Sequence, residues 1–241
     1  MSSKFFDVVV LTCEHGGNLV PPADGALFRG HKKLLNTHRG WDIGALAVAQ
    51  GLAANLKAPL HFATTTRLLV DLNRSLHVKS VWSEWSRELD PAARAELIRT
   101  YYTPYRHAVQ ARLTRLVAQD QRVLHLSIHS FTPVFDGKQR NAAVGMLYDP
   151  GRHFEATLAR ALAMAVRTED STLHVRRNYP YVGYTDGFTT SLRRLLPAAC
   201  YAGIEIETRQ DIIATPAGQR RMVATYTRAI RALMDTPRLS G

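Results

Sequence analysis

Cysteine is nearly absent: the 241 residues hold two, Cys13 and Cys200. Neither has a partner at C-x-x-C spacing, which excludes a thiolate metal cluster and makes a reducing cytoplasm the expected setting. No apolar run approaches the roughly 20 residues that cross a bilayer, so no membrane partner is expected. The apolar stretch near the N-terminus is short, is interrupted by Asp7 and has no A-x-A-like site after it. It reads as a strand and not as a signal peptide. G-x-x-x-x-G-K-[ST] is missing, which removes a P-loop, and G-x-G-x-x-G and H-E-x-x-H are missing too. The absence of G-x-S-x-G argues against a serine nucleophile on an elbow turn. With no repeat, no low-complexity tract and no linker, residues 1–241 read as a single domain.

What is present is an ordinary globular balance, 46% hydrophobic and 21% charged, with a net charge of +11. The basic residues are spread along helical stretches such as "RRMVATYTRAIRALMDTPR", without interleaved aromatics. That pattern suits solvated helix faces and attraction of a small anion; it does not suit a nucleic-acid partner. Residues 5–12, 58–66, 66–74, 122–130, 171–178 and 201–209 read as strands. Residues 41–56, 92–118 (with Pro91 in the first turn), 154–166 and 218–234 read as helices. This alternation predicts an α/β fold: one three-layer domain, a mostly parallel mixed sheet with helices on both faces. Such sheets bind ligands beyond the carboxyl ends of their strands.

Those ends are where the polar residues gather. His15 follows the first strand and His129 ends a later one, so two imidazoles can meet one Zn²⁺. A catalytic zinc takes three protein ligands and leaves a position open. Asp42, at a helix start in "HRGWDIGA", is the expected third ligand. Glu14 points to the other face of its strand, and the Asn18 amide is a weak zinc ligand. Cys13 reads as a small buried residue. Glu205 and Glu207 alternate with isoleucines and share one strand face, where a carboxylate must be paired, ligating or catalytic. Glu207, nearer the strand end, is the expected general base. In "TRLLVDLNR", Arg67 and Arg74 can bind a carboxylate or an oxyanion, and Asn73 adds a donor and an acceptor.

Taken in order, "VVVLTCEHGGNLVP", "HRGWDIGA", "TRLLVDLNR", "SIHSFTPVFDGKQRN", "NYPYVGYTDGFTTSLRR" and "YAGIEIETRQDI" resemble the N-formylglutamate amidohydrolase family, a branch of the zinc carboxypeptidase-like hydrolases. "DLNR" is similar to the substrate-binding motif of the aspartoacylase relatives. Glu207-Thr208-Arg209 is similar to the E-x-R segment that carries the general base in zinc carboxypeptidases. The resemblance implies zinc-dependent hydrolysis of a small anionic N-acyl amino acid. His15 would be the first ligand and His129 the last. Relatives place a glutamate where this chain has Asn18, a departure that strengthens Asp42. The resemblance also implies a substrate pocket lined by Asn178, Tyr184 and Arg193. In the expected mechanism Glu207 moves the proton, Arg67 or Arg140 stabilises the oxyanion, and Asn73 with Arg74 holds the α-carboxylate. The oligomeric state is open.

Overall fold

A computed structural model describes residues 4–235. The elements, in chain order, are β1 (Val8–Cys13), α1 (Lys32–Leu35), α2 (Ala45–Leu56), β2 (Leu60–Phe62), α3 (Pro91–Leu97), α4 (Thr103–Ala118), β3 (Val123–Phe131), β4 (Val134–Phe135), β5 (Lys138–Gln139), β6 (Val144–Leu147), α5 (His153–Glu169), β7 (Val175–Arg177), α6 (Phe188–Leu195), β8 (Tyr201–Arg209) and α7 (Pro216–Asp235). Six strands form one sheet in the order β2-β1-β3-β8-β6-β7, and β4 and β5 form a separate small hairpin. β2, β1, β3 and β8 are parallel; β6 runs antiparallel to β8, with β7 parallel to β6. The sheet is therefore mixed and mostly parallel, as the alternation of segments predicts.

Side-chain alternation divides the three central strands into two unlike faces. Val9, Leu11 and Cys13, Leu124, Leu126 and Ile128, and Ala202, Ile204 and Ile206 all belong to one apolar cluster with α2, α5 and α7. The intervening positions are Thr12, His125, Ser127, His129, Glu205 and Glu207, all buried. They share their face with Val10, Val123 and Tyr201, against which α4 and α6 pack through Val109, Leu113, Phe188 and Leu192. One face is thus pure core, and the other becomes polar towards the carboxyl ends of the strands. That gradient positions the site.

Two predicted elements differ from the structure. Residues 66–74 are not a strand. They fold into successive turns, closed by Leu69 N–H to the Thr66 carbonyl at 3.1 Å and Arg74 N–H to the Asp71 carbonyl at 3.1 Å. Asp71 Oδ1 also accepts the Asn73 N–H at 2.9 Å, a local bond that competes with a strand ladder. Leu68, Leu69, Val70 and Leu72 are apolar because they fill a third cluster with Phe28, Val81, Leu97 and Tyr102. The helix expected over 92–118 is interrupted by a π-helical turn, Ile98–Tyr102. Pro104 explains it: proline has no N–H, and its ring clashes with the carbonyl four residues back, so the ladder widens there. Upstream the helix starts as expected, with Pro91 in the first turn and the Asp90 side chain capping the Ala93 N–H.

Candidate metal centre

His15 lies two residues past β1, His129 near the carboxyl end of β3, and Asp42 three residues before α2. Parallel pairing of β1 with β3 brings the two strand ends together. The Asp42 N–H donates to the His15 carbonyl at 2.9 Å, which fixes the approach to α2 against the end of β1. All three side chains are buried, and one ligand atom from each lies within 4.8 Å of the others. Asp42 Oδ2 is 2.8 Å from His129 Nδ1 and 3.5 Å from His15 Nδ1.

The far side of each imidazole is occupied. His15 Nε2 meets Asp71 Oδ1 at 2.7 Å. His129 Nε2 meets Ser127 Oγ at 2.8 Å and Glu14 Oε2 at 3.2 Å. Glu14 is in turn held by Ser127 Oγ at 2.6 Å and by the Tyr105 hydroxyl at 3.0 Å. A carboxylate behind each imidazole fixes the ring and its tautomer and leaves Nδ1 for a metal. His15 Nδ1 is buried and has no hydrogen-bond partner. Such an orphan is rare in a folded interior unless a ligand satisfies it. Two imidazole nitrogens and one carboxylate oxygen make a three-donor set of the kind catalytic zinc sites use. The residues fit a metal ion.

The electrostatics agree. Burial alone would lower both histidine pKa values. Asp42 and Glu14 override it at His129, and Asp71 and Asp42 override both burial and the Arg67 charge at His15, so both end above the ordinary value. Burial would raise the Asp42 and Asp71 pKa values, yet His15 and His129 at Asp42, and Arg67 and His15 at Asp71, hold both below the usual carboxylate range. Surroundings that keep a proton on buried imidazoles equally favour a cation between them.

Glu207 pairs in register with His129 across β3 and β8. Its Oε2 is buried without a partner. Burial, reinforced by Asp42 and Glu205 and opposed by His129, pushes its pKa up to about 7. Arg67 is gripped by Asp71 Oδ2 at 2.6 Å (Nη2) and 3.2 Å (Nε), with Nη1 3.5 Å from Asp42 Oδ1. These groups share a cavity of about 190 Å³ with Asn73, Arg74 and Glu205.

The structure thus brings His15, Asp42, His129, Glu207, Arg67, Asn73 and Arg74 to one cavity. Four expected residues are not in its wall. Arg140 stacks on Phe135 and Tyr181 (4.6 and 5.1 Å to the ring centroids) and donates to the Tyr181 hydroxyl at 3.2 Å; it supports Tyr181, which does line the cavity. Arg193 is buried against Glu155 (Nε to Oε2, 3.0 Å) and donates to the Gly183 and Gly203 carbonyls, so its charge is spent inside the fold. Asn178, at φ +46°, uses Oδ1 to accept the Tyr148 and Gly183 N–H groups. Tyr184 is 53% exposed, on the outer side of the same loop.

Asn18 donates to the Leu35 carbonyl and to Asn36 Oδ1, and takes no part in the His–Asp–His group. Gly17 is small because a Cβ there would stand 2.5 Å from the Thr64 carbonyl oxygen. Cys13 is fully buried, and burial with Glu14 and Asp42 raises its thiol pKa, the opposite of a nucleophile's environment. Asp71, His38, Tyr181 and Asp186 were not foreseen as site residues. Each lies in a quoted segment: Asp71 heads the "DLNR" turn, His38 opens "HRGWDIGA", and Tyr181 and Asp186 fall within "NYPYVGYTDGFTTSLRR".

The α/β sheet thus carries at its strand ends a buried His–Asp–His group that could hold a metal ion, beside an unpartnered carboxylate. The chain belongs to the N-formylglutamate amidohydrolase family, which it matches over residues 8–214. It is accordingly a hydrolase of carbon–nitrogen amide bonds other than peptide bonds. Its structure is similar to that of gene product Atu2144 from Agrobacterium tumefaciens, with TM-score 0.80 and 32% identity over 93% of this chain and 90% of that one. It is also similar to an N-formylglutamate amidohydrolase from Ralstonia eutropha JMP134, with TM-score 0.68 and 20% identity over 93% of each chain. The CwlD amidase from Clostridioides difficile shares the fold more distantly, at TM-score 0.50 and 9% identity over 94% of this chain and 98% of that one. No curated protein sequence matches.

Proposed function

We propose that the protein is a zinc-dependent amidohydrolase that cleaves the amide of an N-acyl amino acid, with N-formyl amino acids as the first compounds to try. The observation that carries this reading is the convergence of His15 Nδ1, Asp42 Oδ2 and His129 Nδ1 beside the unpartnered Glu207 Oε2. Zinc held by these three residues would supply Lewis-acid activation of water and of the scissile carbonyl. Glu207 is poised to take a proton from the attacking water at Oε2, which is buried without a partner, and return it to the amine nitrogen as the C–N bond breaks. Arg67, fixed by Asp71, offers positive charge to the carbonyl oxygen.

The α-carboxylate of the leaving amino acid goes to Arg74 and Asn73. Arg74 uses Nη1 on the Asp186 carbonyl at 2.8 Å; its Nη2 and Nε make no hydrogen bond among the described residues. Asn73 Oδ1 accepts the Phe188 N–H at 2.7 Å, so the amide is oriented with its Nδ2 donor left over. The partner is therefore a small anion, and nucleic acid has no role in the reading. No helix of the described residues is long and apolar enough to cross a membrane. The free thiols of Cys13 and Cys200 suit a cytoplasmic setting. The test is hydrolysis of N-formyl- and N-acetyl-amino acids by the zinc-loaded protein. Activity on short peptides in place of these compounds would move the reading to a peptidase.

A further inference from the structure

The reaction gives no work to two carboxylates in the cavity wall, Asp186, which accepts the Ser75 N–H at 3.0 Å, and Glu205. Glu205 is buried, at 8% exposure, and lies on the same face of β8 as Glu207. Its Oε1 accepts the Thr189 hydroxyl at 2.7 Å, which locks the rotamer against α6. Its Oε2 receives no hydrogen bond among the described residues, and the arginines that might have neutralised it are engaged elsewhere. Arg209 pairs with Asp211, Arg193 with Glu155, and Arg67 with Asp71. Glu205 and Asn73 both flank Gly187: a Cβ built there would stand 3.4 Å from Glu205 Oε1 and 3.5 Å from Asn73 Oδ1. Asn73 in turn adjoins Arg74 in the chain. The cavity therefore offers a leaving amino acid one guanidinium with free donors and one buried carboxylate with a free acceptor.

A glutamate side chain brings a second carboxylate and would meet Glu205 as a like charge, which costs affinity in a buried site. A side chain ending in an ammonium or another N–H donor would satisfy it. Resting on the amidohydrolase reading, we propose that Glu205 is the specificity determinant of this pocket. It receives an N–H donor from the side chain of the leaving amino acid, so the preferred substrates are N-acylated diamino acids and not N-formylglutamate.

The test compares kcat/KM of the zinc-loaded protein for N-formyl derivatives of lysine, ornithine, norleucine and glutamate. The proposal expects lysine or ornithine to exceed norleucine by roughly tenfold or more, with glutamate lowest. Glu205→Gln should collapse the lysine-to-norleucine ratio towards one, mainly through KM, and Glu205→Asp should restore part of it. Free lysine should inhibit more tightly than norleucine in the wild type only. A wild-type preference for glutamate, or a Glu205→Gln variant that slows every substrate by the same factor, overturns the proposal and leaves Glu205 as a neighbour that tunes Glu207. Failure to hydrolyse any of the four compounds would instead contradict the amidohydrolase reading.

Discussion

Asp71→Asn keeps the shape of the residue and removes its charge, which makes it a sharp probe of how the metal centre is supported. Asp71 Oδ1 meets His15 Nε2 at 2.7 Å, and Oδ2 takes Arg67 at 2.6 and 3.2 Å. An asparagine oxygen can still accept from His15, but it no longer polarises the ring. Losing a carboxylate behind a ligating histidine lowers metal affinity roughly 10–100-fold, or about 1.4–2.7 kcal/mol. Arg67 loses its partner as well. A fully buried pair broken on one side loses about 3–5 kcal/mol of stability. The Arg67 side chain is 26% exposed, so water softens this to about 1–2 kcal/mol. Zinc affinity is read by competition with a chromogenic chelator, and stability by urea unfolding of the metal-free protein. A folded Asp71→Asn variant with wild-type zinc affinity would refute the assignment of His15 Nδ1 as the ligating atom.

Glu207→Gln should bind zinc as the wild type does and lose roughly 10²–10⁴ in kcat; retained turnover would remove it as the base. Arg193→Met strands buried Glu155 and should destabilise the fold by about 3–5 kcal/mol, with most of it recovered when Glu155→Leu is added; an unchanged urea midpoint would contradict a structural Arg193. His125 is buried between Thr12 and Tyr201, and burial depresses its pKa from 6.5 to about 4. The unfolded chain therefore takes up the proton first as the solution is acidified. The stability tied to neutral His125 is full above pH 6.5 and falls, by up to about 3 kcal/mol, as the pH drops to 4. His125→Gln lacks this component, so the stability gap between variant and wild type should change by that amount between pH 7 and pH 4.

The strands that hold the ligands were legible because their sequence carries the burial pattern directly. β3 is buried at all nine positions, and β8 alternates isoleucine with glutamate. His15 and His129 were legible for the same reason, since an imidazole at the end of a buried strand has few other uses; Asp42 was read from its place before a helix in "HRGWDIGA". Residues 66–74 misled because their leucines serve a separate core cluster, and apolar content alone does not separate a strand from a series of turns that buries its side chains. β6 is only four residues long, too short a run for its burial to stand out from the flanking loops. Arg193 and Asn178, expected from the resemblance, flank loop residues that do line the cavity: Tyr181, Val182, Gly183, Thr185 and Asp186. Which way a side chain leaves a loop depends on partners such as Glu155 and the Gly183 N–H, which are distant in sequence or set by the backbone conformation.

The central claim is that His15, Asp42 and His129 hold a catalytic metal. It is tested most directly by measuring zinc content and N-formyl-amino-acid hydrolysis together, for the wild type before and after chelation and for His15→Ala, Asp42→Ala and His129→Ala. The account predicts about one zinc per chain in the wild type, activity lost on chelation and restored by zinc, and neither stable zinc nor activity in the folded variants. Hydrolysis that survives complete metal removal, or full zinc occupancy in all three variants, would contradict it.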